Sequence, residues 1–287
     1  MDLAIVGAGR VGTALGVRLR GAGHRIVSAS GRDATPARVR DFLGRVPVLS
    51  PADAARRADV VLIATPDDAI EPTCAAIVDG GGITPGAVVG HISGATGLAA
   101  LVSAEDQGAT TMSMHPLQTF ADVASAIDRL SGCPIAVTSA TEAGASIGTR
   151  LALDVGGRPF ALADAAKPLY HAAAVFASNY LVAITSLARD LAIAAGLDGA
   201  LELLAPLQAT TLANVGSMGP ERALTGPAAR GDAGTVATHL DALSEAAPAS
   251  IPAYAALARI CLDLSERAGR LDPDRRRAVE EVLTRWT

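Results

Sequence analysis

A glycine-rich turn near the start of the chain constrains its fold more than any other feature. An apolar run, Leu3 to Val6, leads directly into a G-x-G-x-x-G pattern, and apolar residues at helical spacing follow it. A strand, a tight glycine turn and a helix in this order are typical of a parallel sheet whose helix N-terminus binds a pyrophosphate. The pattern therefore predicts a dinucleotide-binding turn rather than a purely structural one. The residues expected at the cofactor are Gly7, Gly9, Arg10, Val11 and Gly12.

The distribution of apolar runs predicts two domains. Short runs alternate with helical segments up to about residue 163, a pattern that favours parallel strands joined by helices. After Asp164 the pattern is helical, beginning with one long helix to about Ala195. We expect an α/β fold, a doubly wound, mostly parallel Rossmann sheet over 1–163, followed by an all-α domain over 164–287. The runs expected as strands are 3–6, 24–29, 59–65, 87–92, 110–114, 134–138 and 158–162.

Charge and composition exclude several classes of partner. The net charge of −5 offers no basic surface for nucleic acid or for an anionic membrane. The longest apolar segments carry Arg, Asp or His within about 20 residues, so no membrane span is expected. The 3 cysteines are scattered, without metal-ligand spacing. We expect a cytoplasmic protein with reduced thiols, no metal and no signal peptide.

Residues just after the second strand normally contact the adenosine ribose. An NAD site usually has an acidic residue there, whereas this chain has Ser28, Ser30, Gly31 and Arg32. Hydroxyl groups and a guanidinium suit a 2′-phosphate. Asp33 opposes this interpretation, but the balance favours NADP, with Ser30 and Arg32 as its ligands.

Polar residues also follow three later strands. Thr65 and Pro66 end the third strand, Ser93 and Gly94 follow the fourth, and the fifth ends at His115. Ligands of doubly wound sheets lie at the carboxyl ends of the strands. We therefore expect these residues at the cofactor, with His115 at the substrate or the nicotinamide. His91 and His115 have an alternative role as structural histidines that bond loop carbonyls.

A single lysine stands out in the helical half. Of 24 basic side chains, only Lys167 is not arginine, which points to a need for a proton that can leave. Pro168 places Lys167 in the first turn of a helix. A helical wheel puts His171 and Ser178 on the same face, with Asn179 about 80° from His171. We expect Lys167, His171 and Asn179 to be catalytic and Ser178 to contact substrate.

A polar loop interrupts the later helices. It contains Thr225, two glycines and Arg230, a composition suited to a substrate carboxylate. The alternative is an interhelical turn in which Asp232 is the N-cap of the next helix.

Together these motifs resemble a known family. The glycine turn, His115-Pro116-Leu117-Gln118, the helix from Lys167 to Asn179, and the loop Leu224 to Asp232 resemble bacterial Rossmann-like proteins whose C-terminal helical half is catalogued as a domain of unknown function. That family is similar to pyrroline-5-carboxylate reductase, ketopantoate reductase and 6-phosphogluconate dehydrogenase.

The resemblance implies an NADP-dependent oxidoreductase. Some family members are regarded as alternative ketopantoate reductases of pantothenate biosynthesis. The better-known relatives carry a catalytic Lys with an Asn one turn later, whereas here His171 holds that second position.

Three functions are consistent with the sequence. The first is reduction of a small 2-oxo acid by NADPH, with 2-dehydropantoate as the best guess. In that reaction Lys167 would protonate the developing alkoxide, and His171 would orient Lys167 or relay a proton. The others are reduction of a cyclic imine such as pyrroline-5-carboxylate, and cofactor binding without turnover, as in a sensor or scaffold. The long apolar helix also predicts a homodimer through the helical half.

Overall fold

The computed structural model describes residues 1–286, which form two compact units, 1–179 and 180–286. The first unit contains one sheet in the strand order β2-β1-β3-β4-β5-β6-β7. All neighbouring strands are parallel except β5 and β6, which are antiparallel. The strands are β1 (Asp2–Val6), β2 (Arg25–Ser30), β3 (Val60–Ile63), β4 (Val88–His91), β5 (Thr110–Pro116), β6 (Pro134–Thr138) and β7 (Arg158–Ala161).

Eight helices belong to this unit, and most of them cover the two faces of the sheet. They are α1 (Arg10–Gly21), α2 (Thr35–Leu43), α3 (Pro51–Ala55), α4 (Asp67–Asp79), α5 (Val102–Glu105), α6 (Val123–Arg129), α7 (Glu142–Asp154) and α8 (Lys167–Ala177). Successive residues of a strand point to opposite faces. Ile5 accordingly packs with Leu15 of α1 in one buried cluster, whereas Val6 packs with Ile70 of α4 in the other. This is a doubly wound sheet with one apolar core on each side.

The second unit is all helical. Its helices are α9 (Asn179–Ala194, whose first residue closes the first unit), α10 (Ala200–Met218), α11 (Pro220–Ala223), α12 (Pro227–Arg230), α13 (Ala233–Ala246), α14 (Ile251–Arg267) and α15 (Pro273–Thr284). The buried cluster of this unit comes mainly from α13, α14 and α15, with Val236, Leu262 and Val279 fully buried.

The predicted fold class is confirmed: a mostly parallel Rossmann-like sheet precedes a helical region. Every predicted strand is present, because each apolar run was bounded by turn residues. The last strand ends at Ala161, close to the predicted change of character at residue 163. The first compact unit nevertheless continues to Asn179 and so includes α8.

The prediction of one long helix to about Ala195 was wrong in one respect. The helix is interrupted at Ser178, whose φ of −125° and ψ of −69° leave the helical region. Serine and asparagine are poor residues for a helix interior because their side chains compete for backbone hydrogen bonds. The helical-wheel argument therefore does not extend past Ala177.

The same stretch, Asp164–Ala194, passes a length and composition test for a membrane-crossing helix, with a mean hydropathy of 1.3. No Asp, Glu, Lys or Arg occurs between Lys167 and Arg189, which is why the stretch passes the test, and the expectation of no membrane span stays a prediction. The break at Ser178 divides this stretch into two shorter helices.

Candidate active site

The glycine turn has the local geometry that the pattern predicted. Gly7 has a φ of +92°, and a Cβ there would lie 2.7 Å from the backbone of Ala64 and Thr65. A Cβ on Gly12 would lie 2.7 Å from the Gly7 carbonyl oxygen. Both positions therefore exclude any side chain, because β1, β3 and α1 approach one another too closely at the turn.

Gly9 differs from Gly7 and Gly12, because the protein leaves space for a side chain there. A Cβ there would come no closer than 3.9 Å to its nearest neighbour, the Gly7 carbonyl oxygen, so no protein atom excludes a side chain. Gly9 is also the N-cap of α1 and supplies no side-chain cap, which leaves the first amides of the helix available to an anion. The turn thus fits a pyrophosphate, whose close approach a side chain at position 9 would block.

A groove of about 520 Å³ opens from this turn towards the end of β2. We call it the first groove; six of its lining residues are Gly9, Ser30, Arg32, Arg38, Thr65 and Pro66. Ser28 is not available to it, because its hydroxyl donates to the Ala54 carbonyl oxygen at 2.7 Å. Asp33 is exposed and does not line it. The ribose end of the groove therefore has guanidinium groups and a hydroxyl, without a facing carboxylate.

Arg38 is a lining residue that sequence reasoning missed. It lies on α2, and one of its Nη atoms donates to the Ala8 carbonyl oxygen at 3.1 Å. That bond holds the guanidinium beside the glycine turn. The signal was a second arginine six residues after Arg32, at the start of a helix, but its direction could not be read from the sequence.

A second groove, of about 570 Å³, continues from the turn along the ends of β3, β4 and β5. Its lining includes Arg10, Val11, Asp67, Ser93, Gly94, His115, Phe120 and His171. The predicted cofactor residues thus all line one of the two grooves except Gly12, which is in the packed part of the turn. Asp67 and Phe120 were not predicted.

Lys167 begins α8, as predicted from Pro168, but its side chain is only 1% exposed and does not line either groove. Its Nζ donates to the Ser93 carbonyl oxygen at 3.0 Å. Burial lowers the pKa of Lys167 to about 8, and the carboxylates of Asp164 and Asp67 limit that shift. Asp164 is itself held in place, since it accepts the Leu98 amide at 3.0 Å. The lysine is a buried ammonium directly behind the Ser93–Gly94 segment.

His91 matches the structural alternative rather than a groove residue. It is fully buried in β4, and its Nδ1 accepts the Ser93 amide at 3.1 Å. Its Nε2 has no hydrogen-bond partner among residues 1–286. Burial, with a further contribution from the Lys167 cation, lowers the pKa of His91 to about 3, and the Gly97 backbone opposes this weakly. His91 is therefore a neutral ring that supports the loop after β4.

His115 lies at the second groove and has one hydrogen bond. Its Nδ1 is 2.8 Å from the Tyr170 hydroxyl, and the two rings meet edge to face with centroids 5.6 Å apart. Burial lowers the pKa of His115 to about 4, with Lys167 and His171 contributing. Burial also raises the pKa of Tyr170 to about 12. Tyr170 lies within the helix from Lys167 to Asn179, but the sequence pattern did not reveal its pairing with His115.

The remaining predicted residues have separate placements. His171 lines the second groove, one helical turn after Lys167. Ser178 is the residue at the break and Asn179 begins α9; neither lines the two grooves. Thr225 and Arg230 belong to the second unit, where Asp232 caps α13 by accepting the Thr235 amide at 3.0 Å. The N-cap interpretation of that loop is thus confirmed, and its predicted substrate contacts stay predictions.

No cluster of three or more His, Cys, Asp or Glu residues that could hold a metal ion occurs within residues 1–286. The polar groups at the second groove are instead imidazoles, a phenol, a carboxylate and, behind them, an ammonium. Such a set can bind a polar substrate, hold a proton and donate hydrogen bonds, but it offers no metal-ligand constellation.

Comparison with known proteins agrees with this architecture. A model described as a Rossmann-like domain matches residues 1–116, and one described as a domain of unknown function, DUF2520, matches residues 133–260. The chain joins a Rossmann-like domain to a DUF2520 domain. No curated protein matches the sequence.

Several solved structures share the fold of this chain. A candidate NADP oxidoreductase from Bacteroides fragilis is 23% identical with a TM-score of 0.77, over 91% of this chain and 98% of that one. Protein TM1727 from Thermotoga maritima is 22% identical with a TM-score of 0.71, over 93% and 100%. Pyrroline carboxylate reductase from Plasmodium falciparum, solved with NADP bound, is 12% identical with a TM-score of 0.59, over 100% and 98%. At these identities the likeness establishes the fold.

Proposed function

We propose that the protein is an NADPH-dependent reductase of a small 2-oxo acid. The observation that carries the proposal is the second groove, which runs from the glycine turn to His115 and His171 beside a buried Lys167. Two proteins of similar fold, a candidate NADP oxidoreductase and an NADP-bound pyrroline carboxylate reductase, support a nicotinamide cofactor. The reduced thiols and the missing basic surface fit a cytoplasmic enzyme that acts on a small molecule.

Residues of the turn and the first groove would hold the cofactor. The first-turn amides of α1 would bind the pyrophosphate, while Ser30, Arg32 and Arg38 would bind a 2′-phosphate through charge-assisted hydrogen bonds. The nicotinamide end would lie past Thr65 and Pro66. When bound, the reduced cofactor supplies a hydride to the substrate carbonyl carbon.

Lys167 is the proposed acid. With a pKa of about 8 it is about nine-tenths protonated at pH 7 and still able to release its proton. Its Nζ is bonded to the Ser93 carbonyl oxygen, so delivery requires the ammonium to turn from that oxygen towards the groove. His171 lines the groove one turn further and would orient the substrate.

The proposed substrate is 2-dehydropantoate, which the family resemblance suggests. The second candidate is a cyclic imine, because the pyrroline carboxylate reductase and a Streptomyces aurantiacus imine reductase share the fold. A buried ammonium disfavours a second cation nearby, and an imine must be protonated before hydride arrives. Charge at this site therefore favours the keto acid.

A thermal-shift screen of the NADPH-loaded protein against 2-oxo acids and cyclic imines, followed by NADPH oxidation assays, tests the proposal. We expect stabilisation and turnover with a 2-oxo acid. Turnover with imines alone would support the second candidate, and NADPH binding without any turnover would indicate a sensor or scaffold.

Gly9→Asp tests whether the glycine turn binds the cofactor. The position has room for a side chain, so the variant should fold, but its carboxylate would repel the pyrophosphate. Loss of NADPH binding with unchanged thermal stability of the unloaded protein is the expected result. Normal NADPH binding by this variant would contradict the assignment of the turn.

A further inference from the structure

The His115 imidazole is held on two sides. A Cβ built on Gly94 would lie 2.7 to 2.9 Å from Cε1, Nδ1 and Nε2 of the ring, so the ring lies flat against this glycine. On its edge, Nδ1 is 2.8 Å from the Tyr170 hydroxyl oxygen. Tyr170 in turn packs against Phe160, with ring centroids 6.1 Å apart. The orientation of the imidazole is therefore defined by groups on three different elements.

The hydrogen bond between Tyr170 and His115 defines which atoms of the two side chains carry protons. The phenol of Tyr170 keeps its proton at neutral pH, because burial raises its pKa to about 12. Nδ1 of His115 is its one hydrogen-bond partner within residues 1–286. If Nδ1 carried the ring proton, the hydroxyl proton would have no acceptor, which is costly for a half-buried group. The hydroxyl therefore donates to Nδ1, and the ring proton is on Nε2.

Nε2 of His115 is the ring nitrogen that is available to a ligand. It has no hydrogen-bond partner among the described residues, and it is not sealed from solvent as His91 Nε2 is. The charged and titratable groups that act on the ring are Lys167, His171 and Asp67. Burial, together with Lys167 and His171, lowers the pKa of His115 to about 4, and the Asp67 carboxylate opposes that shift. The ring is consequently neutral at physiological pH and presents one N–H at the second groove.

We propose that Tyr170 is a positioning residue that fixes His115 as a neutral Nε2–H donor at the second groove, and so selects substrates with an oxygen acceptor at the reacting carbon. The inference rests on the proposed reductase function for its substrate part, while the proton assignment stands independently of it. A carbonyl oxygen accepts from Nε2–H, and the bond strengthens as negative charge develops on that oxygen. A protonated imine presents an N–H of its own, so two donors would face each other.

Histidine NMR tests the proton assignment directly. In ¹⁵N-histidine-labelled full-length protein at pH 7.5, long-range ¹H–¹⁵N correlations distinguish the Nε2–H from the Nδ1–H tautomer. We expect the Nε2–H pattern for His115, assigned by its loss in His115→Gln, and its conversion to mixed tautomers in Tyr170→Phe. An Nδ1–H tautomer in the wild-type protein would overturn the proposal whether or not the protein is a reductase.

The chain offers a matched control pair. In the second unit, Nδ1 of His239 is 2.9 Å from the Tyr254 hydroxyl, with ring centroids 5.9 Å apart. Tyr254→Phe removes the same kind of bond at a residue that lines neither groove. We expect it to leave the His115 signals and NADPH oxidation unchanged. Equal loss of oxidation in Tyr170→Phe and Tyr254→Phe would refute a specific role for Tyr170.

Enzyme kinetics test whether Tyr170 affects the choice between 2-oxo acids and imines. In Tyr170→Phe we expect kcat for the 2-oxo acid to fall about 10-fold with a smaller change in KM, because the lost orientation matters most in the transition state. In a His115→Gln background, Tyr170→Phe should cost less than 2-fold more, since Tyr170 acts through the ring. Additive losses in the double variant, or an unchanged preference for 2-oxo acids over imines in Tyr170→Phe, would overturn the proposal.

Discussion

The two compact units differ in how far their helices bury apolar side chains. In the first unit, α1, α4 and α7 bury their apolar residues against the two faces of the sheet. In the second, α9 has no buried residue and α10 buries only Ala200. Leu207 on α10 is 65% exposed and Val182 on α9 is 69% exposed. The exposed helices α9 and α10 are richer in apolar residues than α1, α4 and α7, so apolar content alone would predict the opposite pattern of burial.

The difference in burial indicates that the helices of the second unit form an interaction surface. Large exposed apolar surfaces on soluble proteins mark interaction sites. Helix α10 carries only one charged residue, Glu202, which leaves little to oppose burial. We propose that α9 and α10 pack against a second copy of the chain in a homodimer, whereas the first unit carries the cofactor and the chemistry. Four predictions test this contrast, from the largest expected effect to the smallest.

The first changes only the chemistry of the first unit. Lys167→Arg keeps the positive charge but removes the dissociable proton, so kcat should fall about 10²–10⁴-fold with a smaller change in KM. Steady-state NADPH oxidation with the substrate found by screening measures the effect.

NADPH affinity and oligomeric state should stay normal in this variant, which circular dichroism must also show to be folded. Lys167→Met, which loses the charge as well, provides a smaller side chain in case the arginine does not fit. Near-wild-type kcat in both variants would exclude Lys167 as the acid and direct attention to His115 and His171.

The second prediction concerns dimerisation alone. Leu207→Glu places a carboxylate on the exposed face of α10, and we expect it to weaken dimerisation by about 100-fold or more, because each protomer would bury an unpaired charge. Light scattering at micromolar concentration measures the mass. Leu153→Glu is the control, since Leu153 is 55% exposed on α7 of the first unit. A monomeric wild-type protein, or one bound to lipid vesicles through this face, would contradict the homodimer.

The third concerns cofactor choice in the first unit. NADPH should bind more tightly than NADH, and each charge-assisted phosphate contact should be worth about 1.5–3 kcal/mol. Titration of Arg32→Ala and Arg38→Ala should show this preference shrinking by that amount. Arg40→Ala is the matched control, because Arg40 lies on the same helix as Arg38 but pairs with Asp41. Equal affinity of the wild-type protein for both cofactors would refute the 2′-phosphate site.

The fourth and smallest effect is acid sensitivity of the first unit. The folded state lowers the pKa of His91 to about 3 from an ordinary value of 6.5, so the unfolded chain binds more protons between these values. Stability is therefore fully present above pH 6.5 and is lost as the pH falls, by roughly 2 kcal/mol between pH 6.5 and 4.5. Urea unfolding followed by circular dichroism should show a shallower pH dependence in His91→Asn. The same dependence in both proteins would rule out His91 as the source.

The elements of the fold were largely predictable because their signals are local. Apolar runs bounded by glycine, proline and polar residues marked every strand, and Ser50, Asp232 and Asp272 cap helices by accepting backbone amides. The break at Ser178 was missed because a single unfavourable residue inside an apolar helix is outweighed by its neighbours in any pattern count.

The site was only partly predictable. Strand-end residues such as Thr65, Ser93 and His115 were identified because parallel strands bring their carboxyl ends to one edge. The sequence could not distinguish His91 from His115, since both end strands. One is sealed in the core and the other is open at a groove, a difference set by packing against α8 and the loop after β4.

The sequence by itself determined the order of strands and helices, the glycine turn and the place of Lys167 at a helix start, because these depend on periodicity and backbone conformation over a few residues. Only the tertiary structure decided which side chains meet: Lys167 bonds Ser93, 74 residues away, and His115 bonds Tyr170, 55 residues away. Burial, proton position and hydrogen-bond direction depend on such distant neighbours, and a local pattern carries no record of them.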